Sequence, residues 1–294
     1  MSDVANANSG PVIRAHSPWA EAWGVFKQNK AALIGLGLLV VLTLVVVVGP
    51  FVYTVDPFEI VQAPHMPPGS EDVPFGSDYL GRDILAGLIH GGRPTLLVGA
   101  LAATIAALIG ITMGALSGFF GGRVDDILGR VTEFFQVLPA LLFAMVLITL
   151  FGPRLVTVAI AIGVVAWTAM ARLTRAEFLR IKQLDFVRSA RSIGASNMRI
   201  MLRTILPNAL PPIIVAGTLA AGGAILAEAS LSFLGLSDRN VMSWGLMIGS
   251  SRLYLREAWW AVTFPGLAIF LTVLAISLVG DGLNDAFNPK LRSR

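Results

Sequence analysis

The sequence has 294 residues and no cysteine, which removes any disulfide framework and any thiolate metal site. Histidine is nearly absent as well. His16, His65 and His90 stand far apart, and no HExxH or CxxC pattern accompanies them. No GxxxxGK[ST] occurs, so nothing in the chain cradles nucleotide phosphates in the P-loop manner. No serine sits in a nucleophile-elbow pattern either. No catalytic, metal-binding or cofactor-binding residues are therefore assigned, and the chain is not expected to be an enzyme. Charge is also scarce, at 14% of residues. Ordinary soluble domains carry roughly 25%, and a soluble surface of this size needs more than is present here.

Apolar sequence fills the place of the missing charge, at 55% of residues with a mean hydropathy of +0.75. Stretches free of Asp, Glu, Lys and Arg run over 31–55, 94–122, 134–153, 155–171, 204–227 and 258–280. A bilayer core requires about 20 apolar residues per helix, within a range of about 17–25. Six windows of suitable length predict six transmembrane helices and an all-α, polytopic membrane protein. The polar residues before the first window have no signal-peptide layout, so that helix is expected to remain.

Placing the N-terminus in the cytoplasm puts 16 of the 22 Lys and Arg on the inner side. The positive-inside rule favours that orientation, with both termini inside. The pI near 9.8 follows from this bias and requires no nucleic-acid partner. Phe51, Tyr53, Phe120, Trp259 and Trp260 sit at the predicted ends, as interfacial aromatics do. The layout expected is a cytoplasmic tail 1–30, a first membrane helix 31–51, an outer loop 52–93 and a core 94–280. Core helices fall at about 95–119, 134–152, 155–171, 208–233 and 261–280, with a cytoplasmic loop 172–207 and a tail 281–294.

Within the outer loop, the helical spacing of Leu80, Ile84 and Leu88 beside Arg82 and Asp83 predicts a short amphipathic helix at the surface. Gly110, Gly114 and Gly118 recur four residues apart, which places them on one helix face and predicts close helix packing. Glu228 is the one clear ionisable residue inside a predicted span. It is either a pathway or gating group or a carboxylate hydrogen-bonded to a neighbouring helix. Arg82 and Asp83 share the pathway or gate reading.

The inner loop holds the most specific pattern, DFVRSARSIGASNMRIMLRTILPN over 185–208. Phe186 to Ile193 suits a short helix, which Gly194-Ala195-Ser196 interrupts, with Ser196 placed to cap a second helix. Met198, Met201, Leu202 and Ile205 form an apolar stripe on that helix, and Leu206-Pro207 is expected to end it. The product is a helical elbow with small residues at Ala190 and Gly194 and basic flanks at Arg188, Arg191 and Arg199. Phe186 and Val187 open it and Ala195 lies in its bend. Such an elbow is shaped to dock in a groove of a soluble partner.

This stretch resembles the EAA loop of inner-membrane permease subunits of bacterial ABC importers. Arg188-Ser189-Ala190 occupies the EAA triplet, Gly194 the glycine and Leu206-Pro207 the closing pair; Arg188 replaces Glu, Ser189 replaces Ala and Thr204 replaces Ile. The resemblance extends over roughly residues 20–290. FGSDYLGRDIL (75–85), GFFGGRVDD (118–126), LSFLGL (231–236), Ser243-Trp244-Gly245 and Asn288-Pro289 all resemble the C-type permease of dipeptide, oligopeptide and nickel importers.

That resemblance implies a type I ABC importer permease fold in a bacterial inner membrane. It also implies a second permease subunit, two cytoplasmic ATPases that bind ATP and magnesium, and an external substrate-binding protein. Di- and oligopeptides lead as cargo; nickel complexes, glutathione, opines and small oligosaccharides fit the same family. A secondary carrier or an intramembrane enzyme would leave the elbow unexplained, and Glu228 has no second ionisable group in the spans to work with.

Overall fold

The computed structural model describes residues 18–287. His16, the Asn288-Pro289 pair and the outermost parts of both expected tails lie outside the described residues. Among those described, helices account for nearly all regular structure, and the only strand-like pairings are isolated bridges within the outer segment. Helix α1 (Pro18–Gln28) precedes α2 (Lys30–Val52), so the described part of the expected polar tail is largely helical. Ala22 and Phe26 of α1 are buried against Ala32 and the far end of the chain at Ala286. Asn29 caps α2 by accepting from the Ala32 N–H at 3.0 Å, and its Nδ2 donates to Asp285 at 2.9 Å.

Helix α3 (Ile84–Phe120) runs for 37 residues without a break. At 1.5 Å per residue that is about 55 Å, far longer than the hydrocarbon core of about 30 Å. The separate amphipathic helix expected near Arg82 is instead the first turns of α3, and Asp83 is its N-cap. Asp83 accepts from the backbone N–H groups of Leu85 at 2.9 Å and Ala86 at 3.3 Å. Pro94 lies inside α3 and does not end it; in a bundle, neighbouring helices tolerate such a residue.

The third charge-free window does not form one straight helix over 134–152. It holds the end of α4 (Gly122–Val137) and all of α5 (Ala140–Phe151), which meet at a bend of 87°. Pro139 is the cause. Leu138, just before it, is extended at φ −69 and ψ 129, as pre-proline residues prefer, and the helix restarts after the ring. Twelve residues of α5 span about 18 Å, so a crossing here needs the bent pair together.

Helix α6 (Leu155–Lys182) continues eleven residues beyond its charge-free window, because Arg, Glu and Lys are good helix formers. A short α7 (Asp185–Ser192) follows, then α8 (Asn197–Arg199), a π-helical segment (Ile200–Ile205) and α9 (Leu206–Phe233). The last three run on as one helix from Asn197 to Phe233. Helix α10 (Trp244–Ser251) lies across the outer end, and α11 (Trp260–Phe287) completes the chain. Five helices are each long and apolar enough to cross a membrane, and the bent pair makes a sixth candidate.

Glycines set the closest helix contacts. A Cβ on Gly110 would meet Met170 Cβ at 2.6 Å, one on Gly114 the Ala171 carbonyl at 2.3 Å, and one on Gly118 the Arg175 carbonyl at 2.7 Å. The stripe expected from the sequence thus seats α3 directly on α6. Gly245 and Gly249 do the same for α10, where an added Cβ would strike Ala229 and Ser232 of α9 at 2.9 and 2.5 Å.

The outer segment between α2 and α3 is folded down onto the bundle. Trp260 Nε1 donates to the Ser77 carbonyl at 3.0 Å, Tyr79 stacks on Tyr254, and Phe75 stacks on Phe264. Tyr53, just past α2, donates to Asp83 at 2.5 Å. Burial and this carboxylate together push the Tyr53 phenol up to about 12.

Candidate functional site

Helix α7 turns out of the end of α6 and presents Val187 inward. Val187 joins Phe178, Ile181, Ile200, Met201 and Ile205 in a buried cluster that also holds Phe119 of α3. Ala190 and Ala195 pack against that same cluster. Their small size therefore serves packing on the inner face of the elbow.

Gly194 has a different reason. It sits at φ +83, a left-handed conformation that L side chains rarely adopt, and an added Cβ would meet nothing within 4 Å. The hydrogen bonds around it form a Schellman end to α7. Gly194 N–H donates to Arg191 O at 3.0 Å, and Ala195 N–H donates to Ala190 O at 3.1 Å. Ser196 then caps the next helix, its Oγ accepting from the Arg199 N–H at 3.4 Å. Glycine is needed here for backbone shape, with open space beyond it.

Two expectations for this segment change. Leu206-Pro207 does not end a helix, because the chain absorbs the proline by widening its turn beforehand. Over Ile200–Ile205 the backbone adopts π geometry, and the Leu206 N–H reaches Met201 O, five residues back. Asn208 Nδ2 donates to the Thr204 carbonyl at 2.7 Å. The same widening rotates the apolar stripe. Met201 and Ile205 are buried, but Met198 and Leu202 are exposed, and Ile200 takes their inward place. What faces outward at the tip is Phe186, Ile193 and Met198, with Ile193 85% exposed. Arg188, Arg191 and Arg199 surround them. Arg188 reaches Asp185 only at 3.7 Å, and both side chains are largely exposed, so this pair adds little stability.

A lock above the elbow escaped the sequence reading. Arg175 of α6 makes a bidentate pair with Asp125 of α4, each contact 2.6 Å, and Ser117 of α3 donates to the same carboxylate. Lys182 donates to the Phe119 carbonyl, closing the end of α6 onto α3. The GFFGGRVDD stretch carried Asp125, but no spacing rule connects it to a residue fifty positions later.

Glu228 lies at the opposite end of the molecule and is 4% exposed. Its Oε1 accepts from Ser232 at 2.8 Å and from Ser243 at 2.9 Å, while Oε2 is buried without a partner. Ser243 is also the N-cap of α10, accepting from the Leu246 N–H at 3.1 Å. Glu228 therefore ties α9 to the start of α10. Arg82 and Asp83 stand near this end but do not touch Glu228. Asp83 is occupied by its cap and by Tyr53; the Arg82 guanidinium lies over the Phe58 ring at 5.2 Å. Among the described residues no group of three His, Asp or Glu side chains is placed to hold a metal ion.

Comparison with known proteins supplies the context. Residues 110–293 match the family model described as binding-protein-dependent transport system inner membrane component. Residues 17–68 match the N-terminal TM domain of oligopeptide transport permease C. The chain is 39% identical over 301 residues to the di/tripeptide transport system permease protein DppC of Pseudomonas aeruginosa, covering 100% of this chain and 99% of that one. It is 41% identical to the dipeptide transport system permease protein DppC of Bacillus subtilis, over 92% and 86% of the two chains. The Escherichia coli protein of the same name is 40% identical, over 94% of each. In fold it is similar to a chain of the MetNI methionine ABC transporter solved in inward-facing conformations, at TM-score 0.57 and 19% identity. That match covers 66% of this chain and 93% of the other.

Proposed function

The chain belongs to the family of binding-protein-dependent transport system inner membrane components, the permease subunits of ABC importers, and we propose that its cargo is di- or oligopeptides. The names of its full-length relatives support that cargo. In this reading the chain supplies half of the translocation pathway and no hydrolytic chemistry. ATP and magnesium belong to two cytoplasmic ATPases, a second permease completes the pathway, and an external binding protein delivers the peptide. Both termini face the cytoplasm, as the bias of Lys and Arg supports.

The exposed apolar tip of the elbow is the observation that carries the coupling role. Phe186, Ile193 and Met198 stand out from a basic rim at the far end of a membrane bundle, where lipid does not cover them. A cleft of an ATPase subunit is the surface that suits them. When ATP closes the ATPase pair, the docked elbows move, and the bundle switches between its inward-open and outward-open packings. Linkage makes this reciprocal, so the packing that favours ATPase closure is in turn favoured by ATP.

The test is reconstitution of this chain with its partner subunits in proteoliposomes. ATP-dependent uptake of a dipeptide delivered by the binding protein is expected. Ile193→Glu with Met198→Glu is expected to abolish uptake and release the ATPases from the complex, while the chain still inserts. Full uptake by that double variant would refute the docking role.

A further inference from the structure

At the outer end, a cleft of about 370 Å³ lies between the folded outer segment, the start of α3, the end of α9 and α10. That size falls within the range of small-ligand sites, about 300–1,000 Å³. Three guanidinium side chains line it, those of Arg82, Arg239 and Arg252. Among the described residues none of the three is in an ion pair. Arg82 Nε is buried and has no hydrogen-bond partner. A desolvated N–H without an acceptor costs about 1–3 kcal/mol, so it marks a donor that a ligand can satisfy.

The carboxylates already lining the cleft are engaged. Asp83 accepts from Leu85, Ala86 and Tyr53, and Asp78 Oδ1 accepts from the backbone N–H groups of Leu80 and Arg82 at 2.8 and 2.9 Å. Arg252 donates to the Phe233 carbonyl, so an anion from outside meets the guanidinium donors of Arg82 and Arg239. Apolar surface from Phe58, Met242 and Met247 stands beside them. A planar carboxylate suits the guanidinium fork, and an adjoining side chain suits the apolar wall.

From this we infer that the outer cleft is a carboxylate subsite, which takes the free C-terminal carboxylate of a short peptide as it passes from the binding protein into the permease. Arg82 is the principal contact and Arg239 the second, with the last peptide side chain against Phe58 and Met247. The inference rests on the peptide reading of the cargo above and adds to it a site in this chain.

The experiment compares uptake of one dipeptide as the free acid and as its C-terminal amide. It uses the complete reconstituted transporter with saturating loaded binding protein, and the binding protein's own affinities for the two peptides are measured separately and divided out. Wild type is expected to favour the free acid by about tenfold, the worth of one charge-assisted contact. Arg82→Gln is expected to reduce that preference to about twofold or less by slowing the free acid alone, and Arg82→Lys to restore part of it. Arg239→Gln, at an exposed position that leaves the fold untouched, is expected to lower the preference in the same direction.

An unchanged preference in both glutamine variants would overturn the assignment. Equal loss for both peptides, with weaker docking of the binding protein, would also overturn it, since the carboxylate would then belong to that protein. Should wild type import neither peptide, the cargo reading itself would fall, an outcome separate from failure of the cleft alone.

Discussion

Replacing Gly114 with Ala adds a single methyl group where α3 rests on α6. That methyl would lie 2.3 Å from the Ala171 carbonyl oxygen, 2.7 Å from Thr174 Cβ and 2.9 Å from Arg175 N. Two of the three neighbours are backbone, so no side chain can turn aside. An ordinary C···O contact is about 3.3 Å or longer, so the helices must part by roughly 1 Å. A gap of 0.5–1 Å forfeits about a quarter to a half of each dispersion contact around it. Overpacking of this kind costs about 1–3 kcal/mol, and the rigid carbonyl places Gly114→Ala at the upper end. Alanine recovers about 1 kcal/mol of helix propensity, which leaves a net loss of about 2 kcal/mol. Gly37 in α2 is the control, because a Cβ there meets nothing within 4 Å. Gly37→Ala is expected to be neutral or stabilising by up to about 1 kcal/mol. Denaturant or thermal unfolding of the purified complex measures both. Equal stability for the two variants would refute the claim that the glycine stripe seats α3 on α6.

Gly194→Asp is expected to cost the fold only about 1–2 kcal/mol, the left-handed penalty, because open space surrounds the site. It is nonetheless expected to abolish ATP-driven uptake by setting a carboxylate in the docking face; normal uptake by the inserted variant would sink the docking role. Glu228→Ala is expected to destabilise by about 3 kcal/mol, since it strands the Ser232 and Ser243 hydroxyls and leaves a cavity. Glu228→Gln keeps the Oε1 acceptor and is expected to cost under about 1 kcal/mol, a contrast that thermal unfolding resolves. Asp125→Asn is expected to lose about 1 kcal/mol, because Arg175 is 43% exposed at its side chain and water screens the pair. A double-mutant cycle with Arg175→Gln is expected to return a coupling of that size, and zero coupling would deny the lock.

Counting charge located the membrane helices because hydrocarbon excludes ions, and that constraint acts on every residue of a span. For the same reason it does not mark where the helices themselves end. Arg172 to Lys182 interrupt an apolar run but not a helix, so α6 continues straight through them. The count is equally blind to Pro139, which carries no charge and bends the third crossing by 87°. At the elbow, Gly194 and Ser196 were legible because each answers a local backbone demand, a left-handed φ and an unsatisfied N–H. Met198 and Leu202 do not share the buried face of Met201 and Ile205, because a 3.6-residue period does not survive a π segment. Helix α10 was missed because its eight residues are too few to register as a span and its place depends on contacts from Gly245 and Gly249 to α9. The Arg175–Asp125 pair had no sequence signal, since only the tertiary fold brings α4 and α6 together.

The elbow's underside explains how a push at the tip reaches the membrane. Val187, Ile200, Met201 and Ile205 share one buried cluster with Phe119 of α3 and Phe178 and Ile181 of α6. Close-packed interiors transmit displacement instead of absorbing it. There Gly110, Gly114 and Gly118 hold α3 directly on α6, against Met170 Cβ and the carbonyls of Ala171 and Arg175. The tip, α3 and α6 therefore move as one body, and the displacement must be taken up elsewhere. Helix α4 has no buried residue and joins this body through the Asp125 ion pair, the edge contact of Phe135 on Trp167 of α6 and the turn at Gly121 and Gly122, both at positive φ. Helix α5 is hinged from α4 at Pro139. These are the places where backbone torsion is cheapest and packing thinnest. Under the proposed docking, then, the bent pair yields while the α3–α6 body turns. Cross-linking α4 to α6 beside Arg175 is expected to block uptake. Cross-linking α3 to α6 across Gly110 joins parts that never separate, and is expected to leave uptake intact.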